Sequence, residues 1–491
     1  MSTSGGAEAS PARPRHRAIR RRPFRRARTL AGALGVTVLG AVLPGTGYVW
    51  TGRRLGYAVL GGFLALLGVV GYFVQDWHRA LDLAFEPVQL RVLAVVLGVV
   101  FVAWAFTVVT TYVMARPAAM SRLESALGAV VVTLLCVLVA IPAVQSARLA
   151  TTQAHLVATV FDDEQTATTP TDTTAADPWG GRDRVNVLLL GGDGGVGRTG
   201  IRTDSVILLS MDTHTGRSVM FSLPRNMMNA QFPADSPLHG AFPDGFRSTD
   251  PAADAGNWML NAVYSQVPAL YPHILGKSEN EGADAVKQAV AGSLGVHVDY
   301  YLLINLLGFQ QLVDAIGGVT VNVNEPIAIN GNTDAGIPPT GYLQPGPDQH
   351  LDGFHALWYS RGRWGSDDYQ RMLRQRCMVN AIIEEADPVN VLRRYQALAK
   401  TGEKILRTDV PRELMPAFVD LALKVKETKV RSIAFISSDR FSSADPDFAW
   451  MQTVVANALE PHRRHAPKDD PGKAVRTDDV CGYHPVAAAT P

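Results

Sequence analysis

Four long apolar stretches without charged residues occupy the first third of the chain. They cover residues 29–52, 56–74, 92–115 and 125–147. Each is close to the roughly 20 residues that a helix needs to cross the hydrocarbon core of a bilayer. The pattern therefore predicts a multi-span helical membrane anchor over residues 29–147, with spans at 56–74, 92–115 and 125–147.

The first stretch differs from the other three. Pro44, Gly45 and Gly47 lie near its middle. Proline and glycine interrupt helices, and non-helical backbone occurs at membrane depth only where it is buried in protein or lines a cavity. Residues 29–52 are therefore predicted to form a broken, re-entrant element, with a complete first span as the alternative.

Arginines next to these stretches predict the orientation of the anchor. Residues 1–28 hold nine arginines and a single acidic residue, and further arginines stand at 53–54 and at 116 and 122. The positive-inside rule places all of them in the cytoplasm if the chain spans the membrane three times. Three spans put the chain after about residue 148 outside the cell, whereas four would leave it in the cytoplasm. The charges favour three.

Beyond the anchor the pattern changes to that of a globular domain. A linker rich in Thr, Ala, Asp and Pro covers 148–184, and a polar, loosely ordered tail is expected at 461–491. Between them, apolar runs predict strands at 185–190, 206–210, 219–222, 300–305, 319–323 and 433–437. Helical spacing predicts helices at 283–294, 307–316, 367–386, 392–406, 411–425 and 449–459. This alternation indicates an α/β fold, a layered α/β/α domain with a central mixed sheet.

Composition excludes several classes of protein. The chain has 491 residues, 47% of them hydrophobic and 19% charged, which excludes a disulfide-stapled miniprotein and a wholly disordered chain. The terminal arm, residues 1–28, has a net charge of +8 (9 − 1) and the rest of the chain −7 (37 − 44), so no basic folded face and no nucleic-acid partner are expected. The three cysteines have no zinc-binding spacing, and Cys377 and Cys481 can pair only if their part of the chain lies outside the cytoplasm.

Two acidic residues stand at predicted strand ends. Asp193 follows the strand at 185–190, and Asp204 precedes the strand at 206–210. Carboxylates in such positions are ligands for Mg²⁺, a hard ion that prefers oxygen and also binds phosphates. The sequence thus predicts Mg²⁺ as a cofactor held by Asp193 and Asp204, while ordinary turn residues remain the alternative.

The glycine-rich segment between these acids resembles a phosphate-binding P-loop. Gly192, Gly197, Arg198 and Thr199 have nearly the required spacing, with arginine where the loop has lysine. A P-loop leads from a strand into a helix, whereas this segment leads into another strand. The helix N-terminus that would bind phosphate is missing, so a nucleotide-hydrolysing enzyme is not expected.

Arginines are dense in a second region. Arg361 and Arg363 alternate and would share one face of an extended segment, and Arg371, Arg374 and Gln375 share one face of a helix. Guanidinium groups bind phosphate through paired hydrogen bonds. We interpret these residues as an anion site, although a solvated helix face with local ion pairs would show the same helical spacing.

Seven short motifs, taken together, resemble the LytR–CpsA–Psr family of bacterial envelope proteins. Their order is that of the family, and they extend from about residue 185 to 385. They are Gly192-Asp193, Arg202-Thr203-Asp204, Ser222-Leu223-Pro224-Arg225, Leu260-Asn261-Ala262-Val263-Tyr264, Gly317-Gly318-Val319, LDGFHALWYSRGR at 351–363 and DYQRMLRQ at 368–375.

The resemblance implies a membrane-anchored phosphotransferase. Such an enzyme moves a glycan phosphate from an undecaprenyl-pyrophosphate carrier to peptidoglycan, outside the membrane. It implies catalytic roles for Asp204, Arg225 and Asp368, one of the two carboxylates taking the acceptor proton. The pyrophosphate-binding residues would be Arg202, Arg225, Arg361, Arg363, Arg371, Arg374 and Gln375. The carrier lipid also needs an apolar slot, which segments 306–316 and 418–425 could line, with a plain helix core as the alternative role for most of their residues.

This chain departs from the family pattern at three places. Asn226 stands where the family usually has Asp, Met259 where Lys is frequent, and Gly194-Gly195 where an Arg often follows the first Asp. These departures favour an alternative function, a lipid-pyrophosphate-binding regulator or transcriptional attenuator of envelope synthesis without turnover. Both hypotheses share the lipid bilayer and the carrier lipid as partners.

Overall fold

The computed structural model of the chain describes residues 25–160, 166–192, 202–331, 336–386, 406–460 and 475–484. The chain divides into two compact units. The first comprises Met1–Trp77 with Val92–Ala150, and the second comprises His78–Arg91 with Thr151–Pro491. Each is described by itself.

The helices are α1 (Leu30–Val42), α2 (Thr46–Trp50), α3 (Leu55–Gln75), α4 (Trp77–Phe85), α5 (Pro87–Ala115), α6 (Arg122–Val160), α7 (Pro237–Ala241), α8 (Val263–Leu270), α9 (Glu281–Leu294), α10 (Leu306–Ile316), α11 (Gly353–Arg361), α12 (Asp368–Glu385), α13 (Met415–Thr428), α14 (Phe448–Leu459) and α15 (Thr477–Val480). The strands are β1 (Arg184–Gly192), β2 (Thr203–Asp212), β3 (Ser218–Leu223), β4 (Tyr300–Asn305), β5 (Val319–Val323), β6 (Ile327–Ile329), β7 (Gly341–Leu343), β8 (Gly346–Leu351), β9 (Leu406–Thr408), β10 (Arg431–Ala434) and β11 (Val475–Arg476).

Among the described residues, three helices are long and apolar enough to cross a membrane: Leu55–Gln75, Pro87–Ala115 and Arg122–His155. The first apolar stretch of the sequence instead forms two short helices, α1 and α2. The break falls at Gly45, which has a φ of 99° and whose Cβ, if present, would collide with the carbonyl oxygen of Gly56. Only glycine fits this left-handed, closely packed position, so the chain reverses within residues 29–52.

The second unit is built around a mixed seven-stranded sheet in the order β11-β10-β3-β2-β1-β4-β9. β1 is parallel to β4 and antiparallel to β2, and β3 is parallel to β10. Side chains of β1 alternate between the two faces, since Leu188 and Leu190 pack on one side and Val185 and Val187 on the other. Helices α8, α9 and α14 cover the first face, and α13 with the second half of α12 covers the other. The predicted α/β/α layering and mixed sheet are confirmed.

Several predicted elements change at their ends. The strand predicted at 433–437 lies at Arg431–Ala434, because Ile433 there pairs with Phe221 of β3. The helix predicted at 392–406 falls mostly outside the described residues. Its last residue, Leu406, begins strand β9 and pairs with Ile304 of β4, so the helical interpretation is wrong at that end.

The predicted linker and tail are more ordered than expected. Helix α6 continues to Val160, and the backbone amides of Ala167 and Thr168 donate hydrogen bonds to the buried carboxylate of Asp284. Within the tail, residues 475–484 supply β11 and α15. A disulfide between Cys377 and Cys481 ties this segment to α12. Hydrogen bonds thus order the linker, and the disulfide orders part of the tail, although the polar composition of both segments predicted little order.

Candidate active site

The guanidinium of Arg225 lies between two carboxylates. Its Nη1 donates a hydrogen bond to Asp204 Oδ1 over 2.5 Å, and its Nε donates to Asp368 Oδ2 over 3.2 Å. The sheet register explains the first contact. β2 and β3 are antiparallel neighbours in which Val206 pairs with Leu223, and Asp204 and Arg225 each lie two residues beyond that pair.

Asp368 is the first residue of α12, and arginines surround its carboxylate. Besides Arg225, the Nη1 atoms of Arg371 and Arg363 lie 3.4 and 3.5 Å from Asp368 Oδ1. Burial raises the pKa of the Asp368 carboxyl, but Arg371 and Arg225 more than offset this, so the pKa lies below its usual value. Asp368 therefore stays ionised at neutral pH and holds three cations together.

Arg371 is the most deeply buried member of this cluster, with 5% of its side chain exposed. Burial lowers the pKa of Arg371 to about 10, and Asp368 opposes that effect. Within the described part of the chain, the Nε of Arg371 has no hydrogen-bond partner. A buried, protonated donor without an acceptor is suited to receiving an anionic ligand.

An apolar cavity of about 320 Å³ borders the charged cluster. It lies among strands β1, β2 and β4 and helices α10, α11 and α12. Along one face of α12 the lining residues change from Arg371 and Gln375 to Val379, Ile382 and Ile383. Because these positions recur at helical spacing, the polar residues lie at the end of the helix near Asp368 and the apolar residues farther along it.

Helix α10 supplies the opposite wall of this cavity through Leu306, Phe309 and Leu312, as predicted for segment 306–316. In segment 418–425, Phe418, Leu421 and Val425 pack into the core under the sheet, as the alternative of a plain helix core predicts, and none of them lines the cavity. The apolar lining residues of α12, Met378, Val379, Ile382 and Ile383, were not predicted from the sequence. Their signal was present in the apolar i, i+3 and i+4 spacing after Arg374.

Arg361 and Gln375 also line the cavity. Gln375 shares a face of α12 with Arg371 as predicted, but Arg361 is not in the predicted geometry. Arg361 is the last residue of α11 and lies over the ring of Trp358 at 5.0 Å, so Arg361 and Arg363 do not alternate along an extended segment. Arg363 lies in the following turn and is held by Asp368. A helix end and a turn thus bring the two arginines to the site.

Arg374 is engaged elsewhere. Its Nε donates to the carbonyl oxygen of Tyr359 over 2.9 Å, its Nη2 donates to the carbonyl oxygen of Gly362, and its Nη1 lies 3.1 Å from Glu325. These contacts hold the C-terminal end of α11 on α12. The structure therefore separates Arg374 from the cluster, because the helical face shared by residues 371 and 375 does not include 374. Arg202 precedes β2 and lies two residues before Asp204. Its Nη2 donates a hydrogen bond to Oδ1 of Asn257.

Of the predicted metal ligands, Asp193 lies outside the described residues. Asp204 Oδ1 accepts from Arg225, and none of the described residues bonds its Oδ2. Across the described ranges no group of three or more His, Cys, Asp or Glu side chains could hold a metal. A carboxylate with one free oxygen fits a hard ion whose other ligands come from a phosphate ligand or water.

Comparison with known proteins gives one family and a set of relatives. The model of the LytR_cpsA_psr family matches residues 150–461. The polyisoprenyl-teichoic acid–peptidoglycan teichoic acid transferase TagU of Oceanobacillus iheyensis is 29% identical over 231 residues, which are 45% of this chain and 56% of that protein. Biofilm regulatory protein A of Streptococcus mutans is 26% identical over 234 residues, 46% of this chain and 50% of that protein. The chain thus spans about half the length of these relatives.

Among solved structures, that of TagV from B. subtilis is 20% identical to this chain. The match covers 62% of this chain and 99% of the other, with a TM-score of 0.39.

Proposed function

Because this chain belongs to the LytR–CpsA–Psr family, we propose that it transfers a phosphate-linked glycan from undecaprenyl pyrophosphate to a hydroxyl of peptidoglycan. The observation that supports this activity is the position of the Arg225 cluster beside an apolar cavity. A polyprenyl pyrophosphate has a matching arrangement of charged and apolar parts, since its charged head is attached to a long hydrocarbon chain. The relative named as a teichoic acid transferase agrees with this substrate class.

Donor binding would use both parts of the cavity. The first isoprene units would lie between α10 and the apolar end of α12, and burial of each CH₂ group would contribute about 0.8 kcal/mol. The pyrophosphate would meet Arg371 and Arg361, whose guanidinium groups face it from two helices. Arg225 and Arg363, both tied to Asp368, would neutralise the remaining charge.

In the transfer step, the acceptor hydroxyl oxygen attacks the phosphorus that carries the glycan. The bond between this phosphorus and the bridging oxygen breaks, and undecaprenyl phosphate leaves with that oxygen. The acceptor proton passes to a carboxylate. The candidates for this role are Asp204 and Asp368, the two carboxylates that Arg225 contacts. Most of the rate would come from positioning and charge stabilisation.

Mg²⁺ stays part of the proposal. Asp204 Oδ2, together with Asp193, would supply carboxylate oxygens to it. When bound, the ion would neutralise charge on the pyrophosphate oxygens. Arg225 would keep Asp204 in place whether or not the ion is bound, because its contact to the other carboxylate oxygen is already made.

We further propose that the second unit lies outside the cytoplasm. Three candidate spans would carry a chain with a cytoplasmic N-terminus to the outer side of the membrane. The disulfide between Cys377 and Cys481 supports the same side, since disulfides persist in oxidising compartments and are rare in the cytosol. Peptidoglycan, the proposed acceptor, is found on that side.

The experiment for this activity uses the purified full chain in detergent with a synthetic undecaprenyl-pyrophosphate-linked glycan and peptidoglycan fragments. The expected result is release of undecaprenyl phosphate and a phosphodiester-linked product, both lost in Arg371→Met. Arg247→Met is the matched control, because Arg247 makes only an exposed ion pair with Asp244.

A second candidate function is regulation by binding without turnover. One relative is named as a biofilm regulatory protein, which favours this candidate. So does Asn226, which stands where the family usually has Asp. Tight binding of the lipid donor without release of undecaprenyl phosphate would overturn the transfer proposal in favour of this one.

A further inference from the structure

Helix α12 borders a second cavity, of about 240 Å³, on a different face. Its walls come from the segment after β5, from α11 and from residues 480–484, which the Cys377–Cys481 disulfide fixes in place. Hydrogen bonds from the side chains of Asn322 and Asn324 to the carbonyl oxygens of Cys481 and Gly482 close one side. The cavity is therefore built by covalent and hydrogen-bonded contacts.

Arg376 is the unusual residue of this cavity. It is only 6% exposed, and among the residues that the structure describes none hydrogen-bonds or ion-pairs with its guanidinium. Burial lowers the pKa of Arg376 to about 10, and no neighbouring acid raises it. Buried charges in proteins are normally paired, because desolvating an unpaired one costs free energy. Arg376 thus lines a built cavity while, among the described residues, none pairs with its guanidinium.

The charge of the cavity indicates the kind of anion that fits. Arg374 also lines it but is already neutralised by Glu325 at 3.1 Å. One uncompensated guanidinium remains. A carboxylate matches it in charge and in planar geometry, since a guanidinium presents its N–H donors in one plane and can pair with two carboxylate oxygens. A doubly charged phosphate would keep one negative charge unpaired there.

The second cavity adjoins a surface groove at the candidate active site. Glu325 and Gln370 line it and also line a surface groove that contains Arg363 and Asp368. Arg376 follows Asp368 by eight residues on α12, which corresponds to about 12 Å along the helix axis. This groove lies apart from the apolar cavity assigned to the lipid donor, whose lining includes neither Glu325 nor Gln370.

We propose that Arg376 binds a carboxylate of the acceptor, and that the groove holds a peptide-bearing glycan whose hydroxyl reaches the Arg225 cluster. This inference rests on the proposed transfer to peptidoglycan. Arg376 is then a specificity residue that contacts the acceptor at a distance from the reacting atoms. The ligand class is a glycopeptide with a free carboxylate at a distance from its reacting hydroxyl.

The test compares two probes, a muropeptide with free carboxylates and the same muropeptide with its carboxylates amidated. Calorimetric titration into the full chain in detergent should show that amidation weakens binding at least about ten-fold, the scale of a charge-assisted hydrogen bond. Arg376→Met should remove this preference without lowering the unfolding temperature, because the native guanidinium has no partner to lose. Arg431→Met, which removes a partly buried arginine bonded to the Ala458 carbonyl oxygen, should keep the preference.

Binding is measured without donor lipid, so the result stands even if the chain proves unable to transfer. Where transfer is observed, Arg376→Met should raise the KM for acceptor and leave that for donor unchanged. The proposal is overturned if the acid and amide probes bind the wild-type chain equally, or if Arg376→Met keeps the preference. Should the Met variant fail to fold, Arg376→Lys decides by the same comparison: the preference must fall, because a point charge cannot replace the planar guanidinium.

Discussion

The Nζ of Lys287 lies 2.7 Å from Oδ2 of Asp409, and neither side chain is exposed to solvent. Thr166 and Thr169 donate hydroxyl hydrogen bonds to the same carboxylate oxygen, and the amide of Tyr301 donates to the other. One buried ion pair thus joins α9, β4 and the segment that follows β9 to the polar residues after α6. The order of that polar segment depends on this pair.

Lys287→Met should lower the free energy of unfolding of the second unit by about 3–5 kcal/mol, because it leaves the Asp409 carboxylate buried without its cation. The loss should be smaller in the double variant Lys287→Met/Asp409→Asn, which removes both charges. Chemical denaturation of the full chain in detergent measures both. Lys426→Met, at an exposed position, should change the value by less than about 0.5 kcal/mol. Equal losses in the single and double variants would contradict the argument.

Arg225→Lys should reduce transfer by at least about a hundred-fold. A lysine has one point charge and cannot contact Asp204 and Asp368 through separate nitrogens as Arg225 does. Initial rates of undecaprenyl phosphate release measure the effect. Arg247→Lys, in an exposed pair, is the control and should retain wild-type rates. A near-normal rate for Arg225→Lys would show that the bridge between the carboxylates is dispensable.

Leu312→Trp should fill part of the apolar cavity and weaken the binding of the lipid donor. Leu312 lines the cavity, whereas Leu307 on the same helix is exposed and does not. Leu307→Trp is therefore the matched control. The expected result is a rise of about ten-fold or more in the KM for a long-chain donor, the scale of losing burial of one or two isoprene units. An unchanged KM would place the lipid elsewhere.

Asp368 should contribute to the acid sensitivity of the second unit. Its pKa is lower in the folded chain than the usual value, so its contribution to stability is complete above that usual value and is lost as the pH falls through the folded pKa. Asp368→Asn should therefore reduce the difference between unfolding temperatures measured at neutral pH and near pH 3. An unchanged difference would mean that the arginines do not hold this carboxylate in solution.

Reporter fusions test the proposed orientation. A reporter that is active only outside the cytoplasm should be active when fused after Ala150 and inactive when fused after Gly52. This follows from three spans and a reversal of the chain within residues 29–52. The opposite pattern would place the second unit in the cytoplasm.

Local patterns predicted much of the sheet. The strand at Tyr300–Asn305 and the strand at Val319–Val323 agree with the sequence at both ends, because a helix and a Gly-Gly pair bound them. Leu406 was assigned to a helix because its helical spacing is local, whereas its pairing with β4 involves residues about a hundred positions away. Short edge strands of this kind carry little signal of their own.

The sequence predicted which residues form the candidate site better than it predicted what each of them contacts. Arg225, Asp204 and Asp368 come together because strand register and a helix start place them so. Arg374 and Arg376 have the same chemistry and nearly the same position in sequence. Their different environments, one saturated by carbonyl oxygens and the other without partners, follow from how α11 and residues 480–484 pack on α12. Tertiary packing of this kind has no local sequence signature.

The pairing of β3 with β10 affects the order in which the chain can fold. Val219 of β3 pairs with Arg431 of β10, so one edge of β3 has no partner until the intervening residues have been synthesised. Pairings between such distant positions slow folding, and an unpaired strand edge invites association with other chains. All residues of β3 are buried in the folded sheet. A folding intermediate in which β3 is still exposed therefore presents a strand that is normally hidden from water. Until β10 is complete, the free edge of β3 is therefore the part of this sheet most prone to pair with another chain.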